Sequence, residues 1–434
     1  MRVFIGLTEV AGYFVNLERG LRELGIETMF VDLDDHPYEY AEATSHADRL
    51  VVLHRAFHRR RTTAEDRGRR LSSLWWAYLQ KSCLLLLLIR AALACDAFIF
   101  SSDTTFFRYQ DLRLLRLLRK RIVFVYTGSD HRPAYLNGAT VGSLDDAAIE
   151  RCAELSRRIK AKVSTVERYA DVIVGHHLSA HFHERAIVPF LLVGFPASAV
   201  VRSIAEPADA PASSAVRIVH APSRPQHKGT AEIRRAIANL RARGRDIEFV
   251  ELVDVPNRTV LDELARCDFV VDELYSDTRM AGLATEAASF GKPSVVGGYA
   301  YDEVLEIDGV YPPRDFPPVE FCHPDRLEGA IERLITDVPY RLELGRRARE
   351  FVSSNWTPIT VARRYLALIE KRVPHGWEFD PRTIRYCLGT GMSESVARAG
   401  VRRLIDSYGT DALCLADKPE MLAAFVAFAS TVTA

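Results

Sequence analysis

The stretch Arg217-Ile-Val-His-Ala-Pro-Ser-Arg-Pro-Gln-His-Lys-Gly-Thr230 constrains this chain more than any other part of it. Residues 216–221 form a short apolar run between turn formers, the mark of a buried strand. Pro222, Ser223 and Pro225 end that run and force a loop. From 230 to 243 the apolar residues Ile233, Ile237 and Leu240 recur at helical spacing, with Gly229 and Thr230 at the start. Arg224 and Lys228 stand in the connecting loop. A planar guanidinium fork, a point charge and the N–H groups of a helix start can hold an anion together. The anion that suits this arrangement is a diphosphate.

A second unit of the same kind follows. Residues 268–272 read as a strand, 273–281 as a polar loop, 282–290 as a short helix closed by Gly291, and 293–297 as the next strand. Gly282, with Leu283 beside it, opens the helix and lets backbone N–H groups come close to a phosphate. Glu286 lies one turn further on the same helix face, where a carboxylate can accept from two vicinal hydroxyls. The cation pair, the glycine-led helix and Glu286 together describe a pocket for a nucleoside diphosphate. His220 ends its strand at the cleft and reads equally as a donor contact or a core histidine.

Residues 216–298 resemble the donor domain of retaining glycosyltransferases with the GT-B fold, of the large family-four (group 1) type. The residues that carry the resemblance are His220-Ala-Pro-Ser223, Lys228-Gly-Thr230, Val271-Asp-Glu-Leu274 and Thr285-Glu-Ala-Ala-Ser-Phe-Gly-Lys-Pro293. The resemblance implies an α/β protein of two facing Rossmann-like doubly wound domains. It places Arg224 and Lys228 on the diphosphate of a nucleotide sugar and Glu286 on its ribose. It implies sugar transfer to an acceptor hydroxyl, with retention, without a metal and without a tightly bound cofactor. Many members carry a sugar-contacting Glu eight positions before the ribose-binding one; here Thr278 stands there, with Asp277 beside it and Glu273 upstream. Asp277 is the expected stand-in. The same departure leaves room for a non-catalytic GT-B-fold protein that binds a nucleotide sugar or a partner and supports another enzyme.

The N-terminal part reads as the first domain of such a pair. Residues 2–7, 13–24 and 27–33 form a strand–helix–strand unit with Gly25 as the helix cap. The Gly-x-Gly-x-x-Gly fingerprint is missing from its first turn, so NAD binding has little support. Gly12 matches the small residue that faces the donor phosphates in the resembled family, and equally reads as a plain turn glycine. Strands are expected at 96–101 and 121–126 around an amphipathic helix at 111–120. The second of them runs into Thr127-Gly-Ser-Asp-His-Arg-Pro133, at the end of a strand where α/β sheets put ligand groups. Asp130, with His131 and Arg132, is the expected acceptor-side and catalytic group, with a turn cap as the other reading of Asp130. A helix is expected at 145–170 and a strand at 170–175. His177 and His181 then have the spacing of a metal pair, but no His-Glu-x-x-His pattern accompanies them, and a polar helix start without metal is expected.

Residues 55–70 are strongly basic, and 71–94 follow as an apolar helix with Trp75, Trp76, Tyr78 and the run Leu84-Leu-Leu-Leu-Leu-Ile89. That run is far below the roughly 20 apolar residues that span a bilayer. Two readings stand: a solvated basic loop before a core helix, or peripheral contact of 55–94 with anionic lipid beside a lipid-linked acceptor. At 434 residues the chain suits an acceptor domain at 1–200, a donor domain at 201–372 joined through 203–215, and a helical extension at 373–434. Helices are expected at 324–336, 340–355 and 358–372, the last crossing back to the first domain, and then at 393–408 and 418–432. The extension can pack on the core, join two copies or bind a partner. Lysine and arginine number 57 against 57 acidic residues, so nothing global argues for nucleic acid. Seven scattered cysteines without a Cys-x-x-Cys pair, and a start that enters a strand directly, give the expectation of a cytoplasmic protein. Carbohydrates, lipid-linked glycans and small molecules all remain open as acceptors.

Overall fold

The structure is a computed structural model, and it describes residues 1–33, 48–101, 104–197, 215–300 and 316–431. Strands β1 Arg2–Leu7, β2 Glu27–Asp32, β3 Ala97–Ser101, β4 Arg121–Val125, β5 Val172–Gly175 and β6 Val188–Pro189 form one sheet in the order β2-β1-β3-β4-β5-β6. Strands β7 Val216–His220, β8 Ile247–Glu251, β9 Phe269–Val271, β10 Ser294–Gly297 and β11 Glu320–Cys322 form a second, in the order β11-β10-β9-β7-β8. All pairings in both sheets are parallel. The central strands are continuous apolar runs because helices cover both faces, leaving no wet side to favour alternation. Each order reverses beside its first strand, between β1 and β3 and between β7 and β9, which opens a crevice at the carboxyl edge.

The helices of the first part are α1 Tyr13–Glu23, α2 Arg49–Asp66, α3 Arg70–Ala94, α4 Gln110–Leu117, α5 Gly138–Val141, α6 Asp146–Tyr169 and α7 Phe190–Val193. Those of the second are α8 Thr230–Ala242, α9 Asn257–Arg266, α10 Gly282–Ser289, α11 Leu327–Thr336 and α12 Val338–Asn355. They are followed by α13 Pro358–Ile369, α14 Glu394–Tyr408 and α15 Pro419–Ser430. The two α/β units thus follow the expected architecture. Strand β8, helix α9 and strand β11 had no counterpart in the sequence reading. The basic stretch is not a loop: residues up to Asp66 belong to α2, which Asp48 caps by accepting from the Leu50 N–H at 3.0 Å. Most of the expected connection at 203–215 lies outside the described residues.

Helix α13 crosses back onto the first sheet, as expected. Val361, Tyr365 and Leu368 join Tyr13, Phe14 and Leu17 of α1 in the core on one sheet face. The Tyr13 and Tyr365 hydroxyls meet at 2.9 Å, fully buried. The two helices come so close that a Cβ on Gly20 would sit 2.0 Å from the Pro358 carbonyl oxygen. On the opposite face the extension joins the core of the same sheet. Val401, Leu404, Leu413 and Phe425 pack in one cluster with Val141, Cys152 and Phe182. Of the readings open for the extension, packing on the core is the one realised.

The histidines after β5 are part of that packing, not a polar helix start. His181 lies 2.7 Å from the Tyr386 carbonyl oxygen, His177 sits edge-on to Phe379, and both are buried. Burial lowers the pKa of each to about 4, so they are neutral. They face different residues, and among the described residues no group of His, Cys, Asp and Glu is disposed to hold a metal.

The approach of α1 to α13 sets a test of the fold. Gly20→Ala should cost about 1–3 kcal/mol, because the backbone it meets cannot yield as a side chain would. Gly329→Ala, in α11 with nothing within 4 Å of the new Cβ, should instead be neutral or stabilising. Thermal unfolding of the two variants checks both signs.

Candidate functional site

A cavity of about 230 Å³ opens at the carboxyl edge of the second sheet and reaches across to the first domain. Its floor is Asp272 after β9 and Ala281, Gly282, Leu283 and Glu286 of the α10 unit. One wall is Ala221, Pro222, Ser223 and Lys228 of the loop after β7; Leu252, Asp254, Val255, Asn257 and Val260 form another, and Ala11 closes it from the first domain.

Lys228 is the cation of this cavity. Its ammonium is hydrogen-bonded to Glu273 and stands 3.9 Å from Asp272. Burial alone would lower its pKa, but the Glu273 and Asp272 carboxylates outweigh that and raise it above the ordinary lysine value. Asp272 is raised by its own burial and by Glu273, an effect that Lys228 partly offsets. Its Oδ2 is buried without a hydrogen-bond partner. Backbone fixes this loop: Leu274 N–H donates to the Lys228 carbonyl oxygen at 3.1 Å. Gly229 takes a positive φ of 71° where any Cβ would lie 2.5 Å from the Leu274 Cβ.

Helix α10 presents its N-terminus to the cavity. Its N-cap residue Ala281 has no side chain to cap it, the Asp272 carboxylate reaches only the Ala284 N–H, and a Cβ at Gly282 would meet nothing within 4 Å, so the backbone at Gly282 faces open space. Such a terminus carries partial positive charge and free N–H donors. The equivalent position in the first domain is already filled. Glu9 is buried behind α1 and accepts from the Val15 N–H at 2.8 Å and the Phe14 N–H at 3.4 Å. Its burial raises its pKa to about 7, an effect its backbone bonds only partly reverse. Of these two helix starts, only α10 is open to an anion. Glu286 receives a hydrogen bond from Asn257 Nδ2 at 3.0 Å, and burial, with Asp272 nearby, raises its pKa to about 7.

The structure therefore brings together Lys228, Gly282, Leu283 and Glu286, and it separates the other expected residues from them. Arg224 is exposed on the Lys228 loop and does not line the cavity. His220 is fully buried, with Nδ1 2.8 Å from the Val271 carbonyl oxygen and Nε2 2.9 Å from Thr230 Oγ1. Of its two readings, the core histidine is the one seen. Gly12 is buried with a positive φ of 79°, and its neighbour Ala11 lines the cavity. Asp130 accepts from the N–H groups of Thr127 at 3.3 Å and Gly128 at 3.1 Å, closing its own turn outside the cavity.

Asp277 is spent on a different task. It forms a buried ion pair with Arg132 of the first domain and accepts from Ser179 Oγ at 2.8 Å. Burial would raise its pKa, but Arg132, with help from His176 and Ser179, holds it at about 2. It clasps the two domains and is not free for a sugar. Thr278 Oγ1 beside it is buried without a partner. Asn257, Glu9 and Ala11 belong to the site or its frame and were not found in the sequence. Asn257 starts a helix that the pattern did not show, and Glu9 looks like an ordinary loop residue.

No protein-family model matches the chain, and none of the curated proteins matches it. It is similar to several solved structures. The spinosyn forosaminyltransferase SpnP is 14% identical with a TM-score of 0.42, over 85% of this chain and 99% of that one. The catalytic domain of starch synthase IV from Arabidopsis thaliana, bound to ADP and acarbose, is 13% identical with a TM-score of 0.48, over 86% and 99%. Anabaena HepE, in complex with UDP and glucose, is 11% identical with a TM-score of 0.44, over 85% and 99%. The fold assignment rests on the two parallel sheets and their strand orders.

Two outcomes follow from these charges. Glu286 has its folded pKa above the unfolded value, so it destabilises the fold as pH rises from about 4.5 to about 7 and beyond. Glu286→Gln should therefore stabilise at pH 8, on the order of 1 kcal/mol given the solvent that reaches it, and change little at pH 4. Thermal unfolding at the two pH values checks this. Arg132→Ala should cost about 3–5 kcal/mol, since it leaves Asp277 charged and buried without its partner. Chemical denaturation of the variant against the parent measures that loss.

Proposed function

We propose that this protein is a glycosyltransferase that moves a sugar from a nucleoside diphosphate sugar to an acceptor hydroxyl. The observation that carries the reading is the convergence of Lys228, the start of α10 and Glu286 on one cavity at the switch point of the second sheet. In this reading the diphosphate sits at Gly282 and Leu283, where the helix terminus and Lys228 oppose the charge that grows on the leaving group. Glu286 accepts from the ribose hydroxyls, and Asn257 holds its carboxylate in place. Arg224, exposed on the same loop, is the second cation able to turn onto the diphosphate. Ala11 marks where the first domain covers the donor, so the acceptor enters from that side and the closed cleft keeps water from competing.

Retention of configuration without a metal fits a site with two cations and a helix terminus at the leaving group and with Asp130 tied into its turn. The leaving phosphate then takes the acceptor proton. A second reading, a protein that binds a nucleotide sugar without transferring it, is favoured by one observation: Asp277, where the donor-sugar contact is expected, is held by Arg132.

Calorimetry with UDP, GDP, TDP and ADP tests the donor site. One nucleotide should bind in preference to the others, and Lys228→Ala should weaken it by about 10- to 100-fold, the worth of a hydrogen bond to a charged group. If none binds, the reading falls. Release of nucleoside diphosphate from the matching nucleotide sugar, with and without acceptor, separates transfer from binding alone.

A further inference from the structure

Helix α3 carries an apolar stripe on its outer face. Leu71, Trp75, Tyr78, Leu85, Ile89 and Leu93 recur at intervals of three, four and seven residues and therefore share one side of the helix. Each is between 46% and 85% exposed. Six large apolar side chains in a line about 33 Å long, at 1.5 Å per residue, are far more than the scattered exposure of a monomer surface. By length and composition the helix could cross a bilayer. It does not stand free to do so. Its other face, at Cys83, Leu87, Leu88, Ala91 and Ala92, is buried in the core under the first sheet. A helix fixed along one side to a globular domain, and apolar along the other, lies on a surface.

The charge around the stripe selects that surface. The turn between α2 and α3 exposes Arg67, Arg69 and Arg70, and Arg60 behind it lies 4.8 Å over the Trp76 ring. Of the two nearby acids, Glu65 pairs with Arg61 at 3.3 Å and accepts from Ser73 Oγ at 2.9 Å. Helix α3 itself contains no acidic residue. An identical copy would bring the same arginines against the exposed Asp66 and a Glu65 already engaged by Arg61, too few acids to match them. An anionic lipid headgroup layer supplies both the negative charge and, just beneath it, the apolar depth that tryptophan, tyrosine and leucine enter. We infer that the α2–α3 hairpin docks this protein on an anionic membrane, with α3 parallel to the bilayer and the arginine turn on the headgroups. The inference stands apart from the donor site, which is built on the other sheet.

Flotation of the full chain with vesicles tests it, using phosphatidylcholine alone and phosphatidylcholine mixed with phosphatidylglycerol. The protein should float with the anionic vesicles, less so with neutral ones, and high salt should release it. Trp75→Glu with Leu85→Glu should abolish flotation. Arg67→Gln, Arg69→Gln and Arg70→Gln together should weaken it by about fivefold per arginine. All the changed side chains are exposed, so the melting temperature and nucleotide calorimetry of the variants should stay at the parent's values. Failure to float with anionic vesicles overturns the inference, as does flotation that the Trp75/Leu85 change leaves intact. A dimer in sedimentation that this change dissolves, without vesicle binding, would assign the stripe to a second copy instead.

Discussion

A charge taken out of water must be matched, and the cleft between the two sheets is organised by two such matches. Arg132 of the first domain meets Asp277 of the second, both almost fully buried. Lys228 meets Glu273 at the edge of the cavity. The first pair uses its charges up and so serves to fix where the domains stand. The second is only partly enclosed, with Lys228 about a quarter exposed, so its ammonium can still be reached by a ligand. The same physical cost thus yields a clasp in one place and a binding group in the other, and the difference is access to solvent.

That difference also limits what the cavity can take. Lys228 shares its surroundings with Asp272, Glu273 and Glu286, so a dianion entering beside it meets acids as well as a cation. Burial eases this conflict by raising Asp272 and Glu286, which favours their neutral forms. A neutral carboxyl can donate a hydrogen bond as well as accept one, so Glu286 near pH 7 can meet a diol in either state. The start of α10 completes the balance, because the positive charge at Gly282 and Leu283 belongs to the backbone, with Asp272 engaging only the Ala284 N–H behind them. A diphosphate flanked by hydroxyls is the kind of ligand whose charge and donors this mixture can match.

The fold was readable because apolar runs and helical periods alternate, and the strands and helices around Lys228 fall close to their expected limits. That Lys228, Gly282 and Glu286 line one cavity was legible for the same reason: each sits at a fixed offset from the end of a strand or the start of a helix. The residues whose surroundings the sequence left open are those that depend on contacts distant in sequence. Asp277 finds Arg132 across 145 positions, and His220 is claimed by Val271 at 51. Asp130 is the short-range case, its carboxylate closing the turn at Thr127 and Gly128 that the sequence offered as one of its two readings. The basic stretch read as a loop because seven arginines hid a helix whose buried side rests on only a few residues, among them Val51, His54 and Ala64. Charge obscured a period that packing confirms.

The extension changes how the two domains must be understood. The segment before α14 touches both sheets' surroundings at once: Thr390 bridges to Asn137 of the first domain, while Gly391 N–H and Thr390 Oγ1 both donate to the Tyr275 carbonyl oxygen of the second. The Glu394 N–H adds a bond to the Tyr299 hydroxyl at 2.9 Å. With α13 on the far side and the Arg132–Asp277 pair within the cleft, the domains are held at three places by three parts of the chain. Two of these ties stand side by side, at Arg132 and Asn137 of the first domain and at Asp277 and Tyr275 of the second. Opening the cleft at that end must therefore break the buried Arg132–Asp277 pair and the bonds to the Tyr275 carbonyl oxygen in one movement.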